Sequence, residues 1–269
     1  MANVTPTASD APQTAAGSVS LPRLRRLNLI VGGLHGVQAI AILALAGLGA
    51  TLPVQLSYLE GPPGAGDRGG PVELFALPIG LAVAIFLLLA AADHLSMATW
   101  ARDWYERTVP RGVNPARWWE YSLSASLMVV LIAMLAGVTE ATALIALFGV
   151  NASMILFGLV MERTNVDRDT VDWKPFVYGC IAGAVPWIAI ALQLIVSSAE
   201  GSSPPTFVFV IFVTLFVLFN SFALNMWLQY RGRGRWSDPL FAERVYLILS
   251  LVAKSALAWQ VYAGAIAGA

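Results

Sequence analysis

The sequence predicts an all-α protein, a bundle of seven helices that cross a membrane. Three observations lead there. The chain is 58% hydrophobic and 12% charged, where a soluble domain carries roughly 25% charged residues. Uncharged apolar runs of about 20 residues, the length of a span, recur along it. Its Lys and Arg gather between alternate runs. In lipid every backbone polar group must be satisfied internally, so the runs are expected as helices. The chain reads as a flexible tail, residues 1–23, and one membrane domain, residues 24–269. Met1–Ser20 is rich in Ala, Thr, Ser and Pro and lacks the apolar centre of a signal peptide. No internal repeat is evident, and an odd number of spans argues against a doubled transporter. A single cysteine, Cys180, excludes an internal disulfide. The net charge of zero says nothing about nucleic acid, and no nucleic-acid partner is expected.

The first span, Leu27–Gly49, follows Arg23, Arg25 and Arg26. Its Asn28, His35 and Gln38 are seven and three apart and form one polar stripe. Gly32 and Gly36 allow a close neighbour there. The loop Ala50–Phe75 is the longest connection. Its "GPPGAGDRGG" suits no helix, and its "VQLSYLE" suits a short surface strand. The second span, Ala76–Ala98, carries Asp93 and His94 near its end, and Arg102, Arg107, Arg111 and Arg117 follow. The third, Trp118–Val138, opens on an aromatic belt of Trp118, Trp119 and Tyr121 around Glu120. The fourth, Ala141–Met161, precedes Arg163, Arg168 and Lys174. The fifth, Pro175–Ser197, contains Pro186 and Trp187. The sixth, Pro205–Gln229, is joined through Arg231, Arg233 and Arg235 to the seventh, Glu243–Ala265, with Arg244 near its start. Apart from Arg68 and Lys254, every Lys and Arg falls on one side. That bias puts the N-terminus in the cytoplasm and the C-terminus outside the cell membrane.

Few ionisable groups fall inside the spans, and such groups are costly and usually functional. Lys254 lies ten residues beyond Arg244, roughly 15 Å into the bilayer at the helical rise. Its stem reaches about 6 Å, too short to snorkel to the surface. A structural ion pair with Glu120 is one reading of it. The other is a Schiff-base lysine: burial disfavours an ammonium, and a neutral amine attacks an aldehyde. Ser250 is one turn before Lys254 on the same face, within reach of its nitrogen. His35 and His94 are each roughly 12–14 Å from the arginine-rich edge, so a polar cluster in that half is expected. Each histidine alone is equally well an interhelical hydrogen-bond partner. Apolarity puts Glu120 near the edge, and it meets Lys254 only if its helix starts earlier, near Asn114.

Specific strings narrow the reading: "RWWEYSLSAS" (117–126), "FGVNASMILFG" (148–158), "CIAGAVPWI" (180–188), "FNSFAL" (219–224) and "LSLVAKSALAWQ" (249–260). With seven spans and a lysine midway along the last, they resemble the heliorhodopsin family. These are microbial rhodopsins with an inverted topology, and the likeness covers roughly residues 24–265. The resemblance implies all-trans retinal as a protonated Schiff base on Lys254, with Glu120 as counterion and Ser250 as its second partner. It implies His35 and His94 lining an inner polar cavity, a short β-hairpin in the first extracellular loop, and a homodimer. The chain is then expected to be a photoreceptor rather than an enzyme. No nucleophile constellation, metal-ligand spacing or phosphate loop favours catalysis.

The polyene needs an apolar pocket with aromatic walls. Tyr121, Ser124, Leu127 and Met128 on the third span are candidates for its surroundings, with Asn151 and Ile155 on the fourth. Trp187 on the fifth and Phe216, Phe219 and Asn220 on the sixth complete the set. Tyr246 and Trp259 flank the lysine and face either pocket or lipid. An outward proton pump needs a second buried acid, and the residue eleven beyond Glu120 is Leu131. A proton is therefore expected to move locally into the Glu120, His35 and His94 cluster, without net pumping. A light-gated proton channel and a retinal-free receptor are the alternatives. The arginine-rich loops "RGRGRW" and "ERTNVDRDTVDWK" are candidate docking surfaces for a cytoplasmic signalling partner, although the charge of any single residue there is explained first by setting the topology.

Overall fold

The computed structural model describes residues 19–62, 64, 69–166 and 168–267. The expected tail up to residue 18 and Arg68, the one cation assigned to the opposite side, lie outside the described residues. In chain order the elements are α1 (Leu21–Ala46), β1 (Thr51–Leu56), β2 (Val72–Pro78), α2 (Ile79–Ala98), α3 (Arg102–Thr108) and α4 (Pro115–Leu135). Then come α5 (Ala141–Asn165), α6 (Lys174–Ala199), α7 (Thr206–Arg231) and α8 (Pro239–Val261). The helices α1, α2, α4, α5, α6 and α7 are long and apolar enough to cross a membrane. The seventh member, α8, carries Glu243, Arg244 and Lys254 and holds its place through packing. It lies between α7 and α1 and closes the ring of helices.

Most helices start earlier than apolarity alone suggests. Pro22 opens α1, and the Arg23–Arg26 turn is helical although it is polar. Asn114 caps α4 by accepting from Arg117 N at 3.3 Å, with Pro115 at the first position. Asp238 accepts from Leu240 N at 2.9 Å and caps α8, again with a following proline. Both are the pairing of a side-chain acceptor with a residue that has no N–H to lose. The second span departs the other way. Its first residues belong to β2, and the helix begins only after Pro78, which is extended.

The two strands pair antiparallel from Thr51↔Pro78 to Leu56↔Val72, with a bulge at Val54/Gln55. The hairpin expected in the first loop is therefore present. Its outer edge is covered: Gln55 N donates to Thr139 O at 2.8 Å, and Ser57 N donates to the Glu140 carboxylate at 3.2 Å. The hairpin is thus tied to the α4–α5 turn.

Around the ring, α1 packs on α2, α2 on α4, α4 on α5 and α5 on α6. The main apolar core fills the hairpin half of the bundle and draws on all seven long helices, with Phe86, Met128, Ile132, Ile190 and Ile211 among its members. Along α6 and α7 the backbones stay apart. There Trp187 bridges to Phe212, Phe216 and Phe219 with edge-on rings, centroids 5.4–5.6 Å apart. Pro186, beside Trp187, removes one backbone donor inside α6.

Candidate functional site

Lys254 projects from the middle of α8 into the bundle, its side chain 4% exposed. Its Nζ donates to Ser250 Oγ at 3.2 Å and to Glu120 Oε2 at 3.3 Å. It also lies 4.6 Å from the centre of the Tyr121 ring. The early start of α4 makes this possible. With Asn114 as the cap, Glu120 falls in the second turn, deep enough to meet the lysine.

One side of Lys254 is apolar. A cavity of about 320 Å³ runs from it between α4, α5, α6 and α7. Its walls include Tyr121, Met128, Ile155, Trp187, Phe216, Phe219 and Asn220, as the sequence suggested, together with Ser250. They also include Trp118, Met154, Phe157, Phe176, Phe222 and Met226, which the sequence reading passed over. Small residues on α5 and α6 let the wall side chains pack close. A Cβ on Gly158 would run into the Trp118 ring, and one on Gly183 would come within 3.0 Å of Met154. The exposed Cys180, Phe216 and Asn220 lie where the cavity meets the outer surface between α6 and α7.

The other side of Lys254 is polar. His94 is sealed, with Nε2 3.3 Å from Ser250 Oγ and Nδ1 2.9 Å from Asn28 Oδ1. His35 stacks on it, ring centroids 5.7 Å apart and 12° from parallel. Both ring nitrogens of His35 are buried with no hydrogen-bond partner among the described residues. The two histidines thus stack on each other outside the cavity wall, and His94 reaches Lys254 only through Ser250. Asp93, one residue away on α2, is half-buried.

From His94 a continuous chain of side chains runs toward the arginine-rich end. Asn28 Nδ2 donates to the Tyr105 hydroxyl at 3.2 Å, and Tyr105 donates to Glu243 Oε1 at 3.0 Å. Glu243 and Glu162 both pair with Arg117, which stands between them. Asn114 completes the group: its Nδ2 donates to Glu243 and its backbone N to Glu162, each at 2.8 Å. The Arg117 guanidinium also covers the Tyr246 ring at 3.9 Å. One cation against two carboxylates is tolerable in the interior only because these neutral donors fill the remaining acceptor sites. Glu243 is eleven residues from Lys254, so the two ionic centres are roughly 16 Å apart along α8.

Four expectations need correction. Arg117 was counted with the loop cations, but it is buried and ion-paired, because α4 begins before it. Gln38 does not reach the polar cluster; it accepts from Trp259 Nε1 at 3.0 Å on the outer side of the α1–α8 contact. Asn151 is not in the cavity wall; it donates to Ser126 Oγ at 3.0 Å between α5 and α4. Ser124 is fully buried behind the wall, and its hydroxyl has no partner among the described residues. Tyr246 is buried against Trp118 and Phe222, whereas Trp259 is 39% exposed. Tyr105, Glu162 and Glu243 carried no signal as site residues. Only their placement one or two turns from a span end hinted at burial.

The fold is that of a solved rhodopsin. A crystal structure of cyanorhodopsin from the cyanobacterium Tolypothrix sp. NIES-4075 superposes with a TM-score of 0.61 at 17% identity. The match covers 91% of this chain and 96% of that one. Comparison with curated proteins found no relative. The heliorhodopsin family model, by contrast, matches residues 24–266. With its lysine midway along the last helix, this multi-pass membrane chain belongs to the heliorhodopsin family, whose members are retinal-type, light-responsive proteins.

Proposed function

We propose that the chain is a light sensor that carries all-trans retinal on Lys254, moves a proton locally when illuminated, and pumps no ion. The observation that supports it best is Lys254 itself. It sits between a carboxylate and a hydroxyl, at the end of an apolar cavity lined by aromatic rings. A long apolar aldehyde suits that shape. The slot offers almost nothing to hydrogen-bond along its length, and an amine stands at its end. Retinal, once bound, supplies a light-driven rotation that re-aims the N–H on Nζ.

The residues do the rest. Glu120 balances the positive charge on Nζ in the dark. Ser250 holds the nitrogen from the next turn of α8. His94 touches Ser250 and offers an acceptor on the side away from Glu120. A charge arriving on His94 changes its hold on Asn28, and through Asn28 the bond to Tyr105 on α3. Because α3 does not cross the bundle, a change there is readable at the arginine-rich surface. We place that surface in the cytoplasm, from the distribution of Lys and Arg. Toward the hairpin the buried polar side chains beyond Lys254 are uncharged: Ser124, Ser126 and Asn151. That half offers no relay for a transported proton among the described residues.

Adding all-trans retinal to the purified protein tests this. A visible absorption band is expected, absent in Lys254→Ala. A colourless product overturns the reading. Liposomes bearing the coloured protein are expected to show no light-driven pH change or photocurrent. Either signal would make it a pump or a channel.

A further inference from the structure

A second concave site lies at the arginine-rich end of α1 and has no part in the chemistry at Lys254. It is a groove of about 390 Å³ between the start of α1 and the start of α8. Three exposed arginines, Arg23, Arg26 and Arg244, line it. No acidic side chain is among its described lining residues. Its floor is apolar, made in part by Leu27 and Ile30.

The floor does not end at the groove. Ile30, Leu34 and Val37 are spaced four and three apart, so they form one row along α1, and they are 51%, 44% and 65% exposed. That row runs down the side of a helix that crosses the membrane. The surface is therefore basic at one end and continuously apolar below it. A small soluble anion would use only the arginines. The apolar row suits a ligand with a hydrocarbon tail attached to its charge.

We infer that this groove is a binding site for an anionic phospholipid, its phosphate held by Arg26 and Arg244 and an acyl chain laid over Leu27, Ile30 and Leu34. Clustered arginines at a membrane surface attract acidic headgroups, each adding its share of the attraction. Guanidinium forks match phosphate oxygens in pairs. The lipid would bridge α1 and α8, the helix that bears Lys254.

Lipid retention tests it. The full-length protein is purified from mixed phosphatidylglycerol and phosphatidylcholine micelles, and bound lipid is counted by native mass spectrometry. Wild type is expected to retain phosphatidylglycerol and not phosphatidylcholine. The Arg26→Gln/Arg244→Gln variant is expected to bind it about thirtyfold more weakly, whereas Arg233→Gln, an exposed arginine outside the groove, is expected to behave as wild type. Ile30→Ser should weaken the lipid but not inorganic phosphate. Equal retention of both lipids by wild type overturns the proposal without any variant. So does an unchanged double variant, or inorganic phosphate raising the unfolding temperature as much as phosphatidylglycerol does. None of these readouts depends on retinal, so the site and the light-sensing reading fail separately.

Discussion

Lys254 and Glu120 meet at 3.3 Å across α8 and α4, with side chains only 4% and 6% exposed. Each charge is thus tolerated because of the other. Glu120→Gln keeps the shape and removes the negative charge. With retinal bound, the visible band is expected to shift to longer wavelength, because the positive charge on Nζ loses its stabiliser. An unchanged spectrum would put the counterion on another acid, such as Asp93.

His94 joins two helices to the lysine, through Ser250 on α8 and Asn28 on α1. His94→Phe keeps the volume and removes both hydrogen bonds. The dark spectrum should stay near that of wild type, since Glu120 is untouched. Recovery after a flash should slow by about a hundredfold, the lower end of what a positioned proton acceptor contributes. Flash photolysis reads both quantities in one sample, and an unchanged recovery would remove His94 from the path.

Tyr105 lies outside the spans, and its hydroxyl is held well above the usual tyrosine range, first by burial and then by the nearby Glu243 charge. The folded chain therefore keeps this proton more tightly than the unfolded chain. Stability is insensitive to Tyr105 below the ordinary value of about 10 and falls as pH rises past it. Tyr105→Phe should cost about 1–2 kcal/mol near neutral pH, where it leaves Asn28 and Glu243 short of a partner. It should also flatten part of the alkaline decline. Thermal unfolding between pH 7 and 11 separates these effects, and an equal decline in both proteins would count against them.

Arg117 stands between two buried carboxylates. Arg117→Ala strands both and should cost about 3–5 kcal/mol. Adding Glu162→Gln and Glu243→Gln to it should return much of that loss, because the stranded charges are gone. If the triple variant unfolds no later than Arg117→Ala, the group does not act as a charge-balanced unit.

The readable part of the site was the part that broke a local rule. A lysine in an apolar run is visible without any knowledge of its neighbours. Glu120 was ambiguous because hydropathy starts α4 at Trp118, whereas the Asn114–Pro115 pair, a capping signal in plain view, starts it at Pro115. Arg117 was misread for the same reason. Its partners are 45 and 126 residues away, and no local spacing announces such a pairing. Gln38 shows the limit of a stripe. Three residues advance a helix by about 300°, so Gln38 sits to one side of His35 and turns toward Trp259 instead. The cavity walls were half legible: Trp187, Phe216 and Phe219 stood out, but Phe176, Phe222 and the glycines on α5 and α6 did not.

The hairpin has a mechanical meaning. Its strands link α1 to α2, and its covered edge grips the turn between α4 and α5. Four helices are thereby clamped at one end by backbone hydrogen bonds. At the opposite end the helices are held by side chains, among them Asn28, Tyr105 and Glu243. One pole is thus fastened largely by backbone pairing, which side-chain substitution leaves in place, and the other by side chains whose charge and identity decide the grip.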